Sequence, residues 1–268
     1  MQHVFISGAG SGLGLALAKV YAARGDLVAL ADIRSDRLDA ALTELKPGAH
    51  VKVLLDVGSD ESFANAAAHL AKRWPKLDVL INNAGVASSG DFVDTSMAEW
   101  DRVMNLNVSS VQRGCKYLLP MMLPNRRGVI INVASFAGLA AAPDTGVYGV
   151  SKAAVLAYSE ILRGQLFAHG LKVSCLCPSF FQTNLLESFA PGHDRMRRAA
   201  TKMMETGALN ADDVASYTVR ESERGRFLLL PHPDTRMKWR IKRWLPEYYF
   251  KRLLQMTQRF SLKPGKTA

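Results

Sequence analysis

An α/β architecture, a doubly wound parallel sheet with helices on both faces, is expected of this 268-residue chain on three grounds. Apolar runs of strand length alternate with amphipathic segments of helix length along the chain. The runs are apolar throughout instead of every second residue, so each strand should be buried on both faces, as in a parallel sheet covered twice. At 48% hydrophobic and 22% charged residues the chain can fill one core of this size and is too apolar for a disordered polymer. Twenty glycines, eleven prolines and the lack of an internal repeat exclude collagen-like chains and solenoids.

Val4 to Ser7 reads as the first strand, followed by a helix over Leu13 to Ala23, a strand over Leu27 to Asp32 and a helix over Arg37 to Leu45. A strand over Val51 to Asp56, a helix over Glu61 to Arg73 and a strand over Leu77 to Asn82 continue the pattern. One long helix is expected near Trp100 to Met122, then a strand over Gly128 to Ala134 and a helix over Val147 to Ala168. Strands over Val173 to Cys177 and Phe227 to Leu230 complete the series. Right-handed crossovers between such strands give a Rossmann-type sheet. No linker rich in Pro, Gly or Ser divides the chain, so residues 1–268 are expected to form a single domain, with a core over 1–231 and an extension over 235–262.

The opening Met1-Gln2-His3-Val4 lacks the basic start and apolar core of a secretion signal, and no stretch reaches the length of a membrane span. A cytoplasmic location is the expectation. Cys115, Cys175 and Cys177 are odd in number and match neither a zinc spacing nor a disulfide framework. The six histidines are scattered, so no metal site is expected. The net charge of +10 is carried almost wholly by the tail: residues 220–268 hold 13 Lys/Arg and 4 Asp/Glu, the remainder 21 and 20. A neutral body with a basic tail argues against nucleic acid as partner, and leaves phosphate, anionic lipid or a merely solvated face for the tail.

Ser7-Gly8-Ala9-Gly10-Ser11-Gly12-Leu13-Gly14 lies between the first strand and the first helix. Glycines there let the backbone approach a pyrophosphate, whose charge is favoured at the positive helix N-terminus. The spacing is G-x3-G-x-G, and a purely structural tight turn remains an alternative for this motif alone. Asp32 closes the second strand 18 positions after Gly14, where an adenosine ribose would lie. A carboxylate there accepts bonds from ribose hydroxyls and repels a 2′-phosphate, which favours NAD over NADP. Arg34 complicates this choice if its guanidinium turns inward; an exposed arginine leading the next helix is the favoured reading.

With the downstream motifs, the sequence resembles the short-chain dehydrogenase/reductase family of the classical type over residues 1–231. Asp56-Val57 ends the third strand, where the family contacts adenine, and Asn82-Asn83-Ala84-Gly85 resembles its N-N-A-G signature. Asn107 in Asn105-Leu106-Asn107-Val108 falls at the family's catalytic asparagine. Ser135 falls at its serine, thirteen positions before Tyr148, and Tyr148-Gly149-Val150-Ser151-Lys152 is its Y-x3-K pair. Pro178-Ser179-Phe180-Phe181-Gln182-Thr183 resembles the P-G-x3-T nicotinamide turn, with Ser179 in place of glycine. The resemblance implies a sheet in the order 3-2-1-4-5-6-7, catalysis by Asn107, Ser135, Tyr148 and Lys152, and a homodimer or homotetramer. It implies a cofactor held by Gly8, Ser11, Gly12, Leu13, Gly14, Asp32, Arg34, Asp56, Val57, Asn83, Ala84, Gly85, Tyr148, Lys152, Pro178, Phe181 and Thr183.

The chemistry also follows from the residues. Tyr148 and Lys152 are four apart and share a helix face. A neighbouring ammonium is expected to pull the phenol below its usual value near 10 and make a general acid/base of it. Ser135, at a strand end, can hold a substrate oxygen as charge develops on it, and Asn107 would orient a water that relays a proton from Lys152. A packed aromatic, a helix cap, a turn residue and a solvated charge are the bland alternatives, taken singly. Their joint order favours an enzyme acting on an alcohol or ketone over the alternative, a catalytically silent dinucleotide-binding regulatory protein.

The resemblance places a substrate lid over residues 184–210, where Leu185, Leu186, Phe189, Met196, Met203 and Met204 suit a lipophilic substrate or the inner face of one amphipathic helix. Ala140-Ala141-Ala142 makes the neighbouring pocket wall small-sided. In the extension, Tyr249, Leu253, Met256 and Phe260 recur at helical spacing and are expected to form a packed stripe, with Pro246 starting the second helix. A membrane-surface role is the alternative not favoured for these basic, aromatic helices.

Overall fold

In the computed structural model, which describes residues 1–182, 184–189, 194–205 and 207–261, seven strands form one parallel sheet. They are β1 (His3–Ser7), β2 (Leu27–Asp32), β3 (Val51–Leu54), β4 (Val79–Asn82), β5 (Gly128–Val133), β6 (Leu171–Leu176) and β7 (Leu228–Leu229). Their order is β3-β2-β1-β4-β5-β6-β7, as expected. The helices are α1 (Gly12–Ala23), α2 (Ser35–Thr43), α3 (Asp60–Ala71), α4 (Met97–Met104), α5 (Ser110–Leu118), α6 (Phe136–Ala140), α7 (Gly146–Leu166), α8 (Asp194–Glu205), α9 (Ala211–Glu223), α10 (Pro233–Trp244) and α11 (Pro246–Ser261).

The uniformly apolar strands are explained by two cores, one on each face of the sheet. Val4, Ile6, Val28 and Leu30 point to one side, against Leu17 and Tyr21 of α1, Leu38 of α2 and Val214 and Val219 of α9. Phe5, Ala29, Leu80 and Ile130 point to the other, against Phe63 and Leu70 of α3, Leu118 of α5 and Leu162 of α7. Each large side chain so buried contributes about 1.5–3 kcal/mol, which makes a one-residue slip of any strand prohibitive. That fixed register sets the carboxyl ends of β1, β2, β4, β5 and β6 side by side, and the loops leaving them build the site.

The structure departs from the expected elements in five places. The single helix expected over Trp100 to Met122 is divided into α4, a π-turn over Asn105–Ser109, α5 and two 3-10 turns, Leu119–Met121 and Leu123–Asn125. Pro120 and Pro124 explain its end, since proline supplies no N–H and disfavours helix in the preceding residue. The short α6 was not anticipated, and neither was α9, although Asn210 and Asp213 form a reciprocal capping box at its start. Strand β7 is two residues long. The stripe expected in the tail holds only in part: Tyr249 and Leu253 are half-buried, whereas Met256 is 56% exposed. The Phe260 side chain lies outside the described residues. The helix α11 packs mainly on α10, and one neighbour can cover only one narrow face.

Helix α10 in turn packs on α6. Trp239 joins a third cluster with Leu139 and Cys177, and Lys242 Nζ donates to the Leu139 carbonyl at 2.6 Å. Among the described residues no helix is long and apolar enough to cross a membrane, and no group of His, Cys, Asp and Glu is placed to hold a metal. The three cysteines are free and buried.

Candidate active site

The turn after β1 is possible only with glycine. Gly8 and Gly12 have φ of +66° and +54°, and a Cβ on Gly14 would lie 2.0 Å from the Gly8 carbonyl oxygen. The turn is also stitched to β4. Ser7 Oγ accepts from the N–H groups of Asn83 and Ala84 at 3.0 and 3.1 Å, and Asn83 Nδ2 donates to the Ser7 and Gly8 carbonyls at 2.9 and 3.1 Å. Ser7, buried, was not singled out in the sequence because a serine ending a strand carries no signal of its own. At the head of α1, Ser11 is extended and makes no side-chain cap bond, Leu13 is buried, and the first turn carries no acid. The positive end of the helix dipole therefore faces this turn without an internal counter-charge.

Asp32, at the end of β2, accepts from the Gly10 N–H at 3.1 Å and from the Arg34 N–H at 3.0 Å. The Arg34 guanidinium grips Asp36 with two bonds of 3.0 and 2.7 Å and holds that carboxyl down at about 2. Arg37, in the first turn of α2, pairs with Glu187 at 2.7 Å and so ties the 3-10 turn Asn184–Ser188 to the β2 end of the sheet. Ser188 Oγ also accepts from the Ala87 N–H at 2.7 Å. Asp56 turns back on its own loop to accept from the Gly58 N–H at 2.8 Å, and the Val57 carbonyl accepts from Arg113 at 3.2 Å. Both sit at the rim of the cleft.

The catalytic candidates converge from three elements. Ser135 leaves β5 in extended conformation and caps α6, its Oγ accepting from the Ala137 N–H at 3.1 Å. Its hydroxyl lies beside the phenol of Tyr148, on α7, and favours the ionised form of that group. One turn later the buried Lys152 places Nζ 5.8 Å from the centre of the Tyr148 ring and donates to the Val133 carbonyl at 3.0 Å. Burial sets both values: Tyr148 is pushed up, with the Ser135 hydroxyl opposing, and Lys152 falls to about 8. The expectation that Lys152 would lower the Tyr148 phenol is thus corrected. Its ammonium is engaged by Val133 and lies over the ring, so desolvation of the phenol dominates.

Asn107 sits in the π-turn between α4 and α5, a distortion that often re-aims a side chain at a functional site. Its Oδ1 accepts from the Val86 N–H at 2.7 Å, and Nδ2 donates to the Val86 carbonyl and to Ser151 Oγ, each at 3.0 Å. Ser151 Oγ donates to the Tyr148 carbonyl at 2.8 Å, so Asn107 braces the helix that carries Tyr148 and Lys152. Gly85 fills the gap between them: a Cβ there would meet Asn107 Oδ1 at 2.8 Å and Lys152 Nζ at 3.3 Å.

The loop after β6 closes the far side. The Pro178 carbonyl accepts from the Phe136 N–H at 2.8 Å, and Phe181 is buried in the core beneath α1 and α9. Thr183 lies outside the described residues. His232, just before α10, was not anticipated because a lone histidine gives no pattern. It is buried, its Nδ1 accepts from the Ser179 N–H at 3.2 Å, and its ring lies 6.5 Å from that of Phe181. Burial holds its value below the usual one. The residues present fit a dinucleotide: a glycine cradle closed to any Cβ, helix N–H groups with no internal acid, a carboxylate at the ribose position, and a hydroxyl, a phenol and an ammonium at the far end.

Comparison with known proteins agrees with this geometry. The family model for short chain dehydrogenases matches residues 2–194. The chain is 31% identical to momilactone A synthase of Oryza sativa subsp. japonica, over 83% of its own length and 84% of that protein. It is 36% identical to 2-(R)-hydroxypropyl-CoM dehydrogenase of Xanthobacter autotrophicus, over 68% and 75%. It is 29% identical to the probable oxidoreductase EphD of Mycobacterium tuberculosis over 91% of its own length, and spans only 43% of that protein. Among solved structures it is similar to a short chain dehydrogenase/reductase from Burkholderia phymatum in complex with NAD, with a TM-score of 0.86, 29% identity and coverage of 92% of this chain and 94% of that one.

Proposed function

The chain belongs to the short-chain dehydrogenase family, and from that premise we propose that it transfers a hydride between NAD(H) and a lipophilic secondary alcohol or ketone, with Tyr148 as the general acid/base. The observation that carries this reading is the convergence of Ser135, just past the carboxyl end of β5, with Tyr148 and Lys152 in the first two turns of α7. When bound, the nicotinamide supplies the hydride acceptor or donor. In the oxidative direction the substrate hydroxyl gives its proton to the Tyr148 phenolate while its carbinol hydrogen leaves as hydride; in the reductive direction the phenol protonates the carbonyl oxygen. Ser135 donates to that oxygen as it gains charge. Lys152, its value lowered to about 8 by burial, offers a donor to the cofactor ribose beside the phenol, whose own value burial raises. Asn107, held beside Lys152 across Gly85, orients the water that carries the proton outward.

Gly8, Ser11, Gly12, Leu13 and Gly14 hold the pyrophosphate, Asp32 the adenosine ribose, and Asp56 and Val57 the adenine edge. Asn83, Ala84, Gly85, Pro178, Phe181 and Thr183 line the remainder. NAD is preferred over NADP because Asp32 stands where a 2′-phosphate would come and Arg34 is occupied by Asp36. A lipophilic substrate is supported by the half-buried Leu185, Leu186, Phe189 and Met204 in the lid and by the small Ala140-Ala142 wall. An oligomer is supported by Ile161 and Phe167, exposed at the outer end of α7. Alcohols and ketones assayed with each cofactor at the nicotinamide absorbance band test the reading. Turnover with NAD(H) exceeding that with NADP(H) is expected, and a preference for NADPH would overturn the cofactor assignment.

A further inference from the structure

The geometry points to an interaction face on α10 and α11 that docks on an anionic lipid surface. Met237, Arg240 and Trp244 follow one another at spacings of three and four, so they share one side of α10, and all three are exposed. The opposite side is the one committed to the fold, through Thr235, Trp239 and Lys242. Beyond Trp244, which is 78% exposed, Leu245 and Tyr248 follow at spacings of one and three and are exposed as well, and Met256 is exposed two turns further along the Tyr248 side of α11. These side chains are too large and too close in sequence to be scattered surface residues, and they make an unpartnered apolar face.

Charge decides what covers it. Residues 233–256 carry seven Lys/Arg and two Asp/Glu, and one of the acids, Asp234, is taken by Lys238 at 2.7 Å. A second copy of the chain would be a poor occupant, because a twofold contact through this face sets Arg240, Arg243, Lys251 and Arg252 against their own counterparts. An anionic bilayer satisfies both features at once: Trp244, Leu245 and Tyr248 enter the interface while the long basic side chains reach the lipid phosphates. Placement favours the same occupant. Helix α10 leaves the sheet edge next to β7 and is fastened to α6, the helix capped by Ser135, so the face stands beside the pocket.

The test is co-flotation of the full-length protein with vesicles of phosphatidylcholine alone or phosphatidylcholine mixed with phosphatidylglycerol. Binding is expected only to the mixed vesicles and is expected to weaken with added salt. Trp244→Ala with Leu245→Ala, and separately Arg240→Glu with Arg243→Glu, should each weaken that binding about tenfold or more, with NAD affinity and solution mass unchanged. Lys46→Glu with Lys72→Glu changes net charge by the same amount away from the tail and should leave binding in place. Failure of the wild type to float with anionic vesicles overturns the proposal, and so does equal loss in the Lys46/Lys72 control, which would mean attraction by net charge alone. A fall in solution mass on Trp244→Ala without vesicle binding would assign the face to a subunit contact instead.

Discussion

Lys152 carries the strongest single-residue consequence, because the site holds a charge in a place that disfavours it. Its folded value of about 8 lies below the 10.5 of an unperturbed lysine, so between those values the unfolded chain binds more protons and stability rises with pH. Below pH 8 both states are charged and the full cost remains, on the order of 3 kcal/mol from the difference of the two values. Lys152→Met should therefore lose turnover and NAD affinity while removing this slope: urea titrations from pH 8 to 10.5 should show wild type gaining on the variant. Parallel curves would mean that Lys152 is not desolvated as the structure has it. At the other end of the cleft, Asp32→Ala should narrow the gap in kcat/KM between NAD(H) and NADP(H), since it removes the carboxylate that a 2′-phosphate would meet. An unchanged ratio would show that Arg34 or another group sets the preference.

At the scale of elements, what was legible in the sequence is what repeats or is spaced by backbone geometry. The strands could be read because the central ones are apolar on both faces and even β3, with Lys52 and an exposed Leu54, is short and valine-rich, and Tyr148 with Lys152 because a helix forces residues four apart onto one side. Helix α6 escaped because it is five residues long and is defined by a serine cap, and α9 because Tyr217 and Arg220 interrupt its apolar rhythm. The division of the expected helix over Trp100 to Met122 was half visible in Pro120 and Pro124, but its π-turn has no sequence signal. His232 was illegible for the same reason: its role comes from the loop it meets. Its Nδ1 must be unprotonated to accept from Ser179, and its folded value lies below 6.5. The unfolded chain thus takes up the proton first, and the stability His232 contributes is present above pH 6.5 and lost as pH falls below it. His3 is lowered in the same way. His232→Gln should remove the part of the acid-side loss that belongs to this loop, measured by thermal melts between about pH 5 and 7. An identical pH profile would contradict the assignment.

On the scale of the whole molecule, the tail has two unlike sides. Trp239 is half-buried against Leu139 and Cys177 behind the pocket wall, so Trp239→Ala should cost about 2 kcal/mol of stability and raise the KM of substrate more than that of NAD. Trp244→Ala, on the exposed side, should leave the melting temperature within about a degree. If the two variants behave alike in thermal melts and kinetics, the division of the tail into a packed and a free face is wrong. One register of the sheet sets the glycine turn, Asp32 and Ser135 along a single edge, and α7 brings Lys152 against that edge through the Val133 carbonyl.

The central claim is that this edge carries a proton-coupled hydride transfer through Tyr148. The most direct measurement is the single-turnover rate at the nicotinamide band for wild type and Tyr148→Phe, with NAD binding followed in parallel by fluorescence. A loss of at least about a hundredfold in rate with NAD affinity retained is the predicted result. A near-normal rate in Tyr148→Phe would contradict the claim.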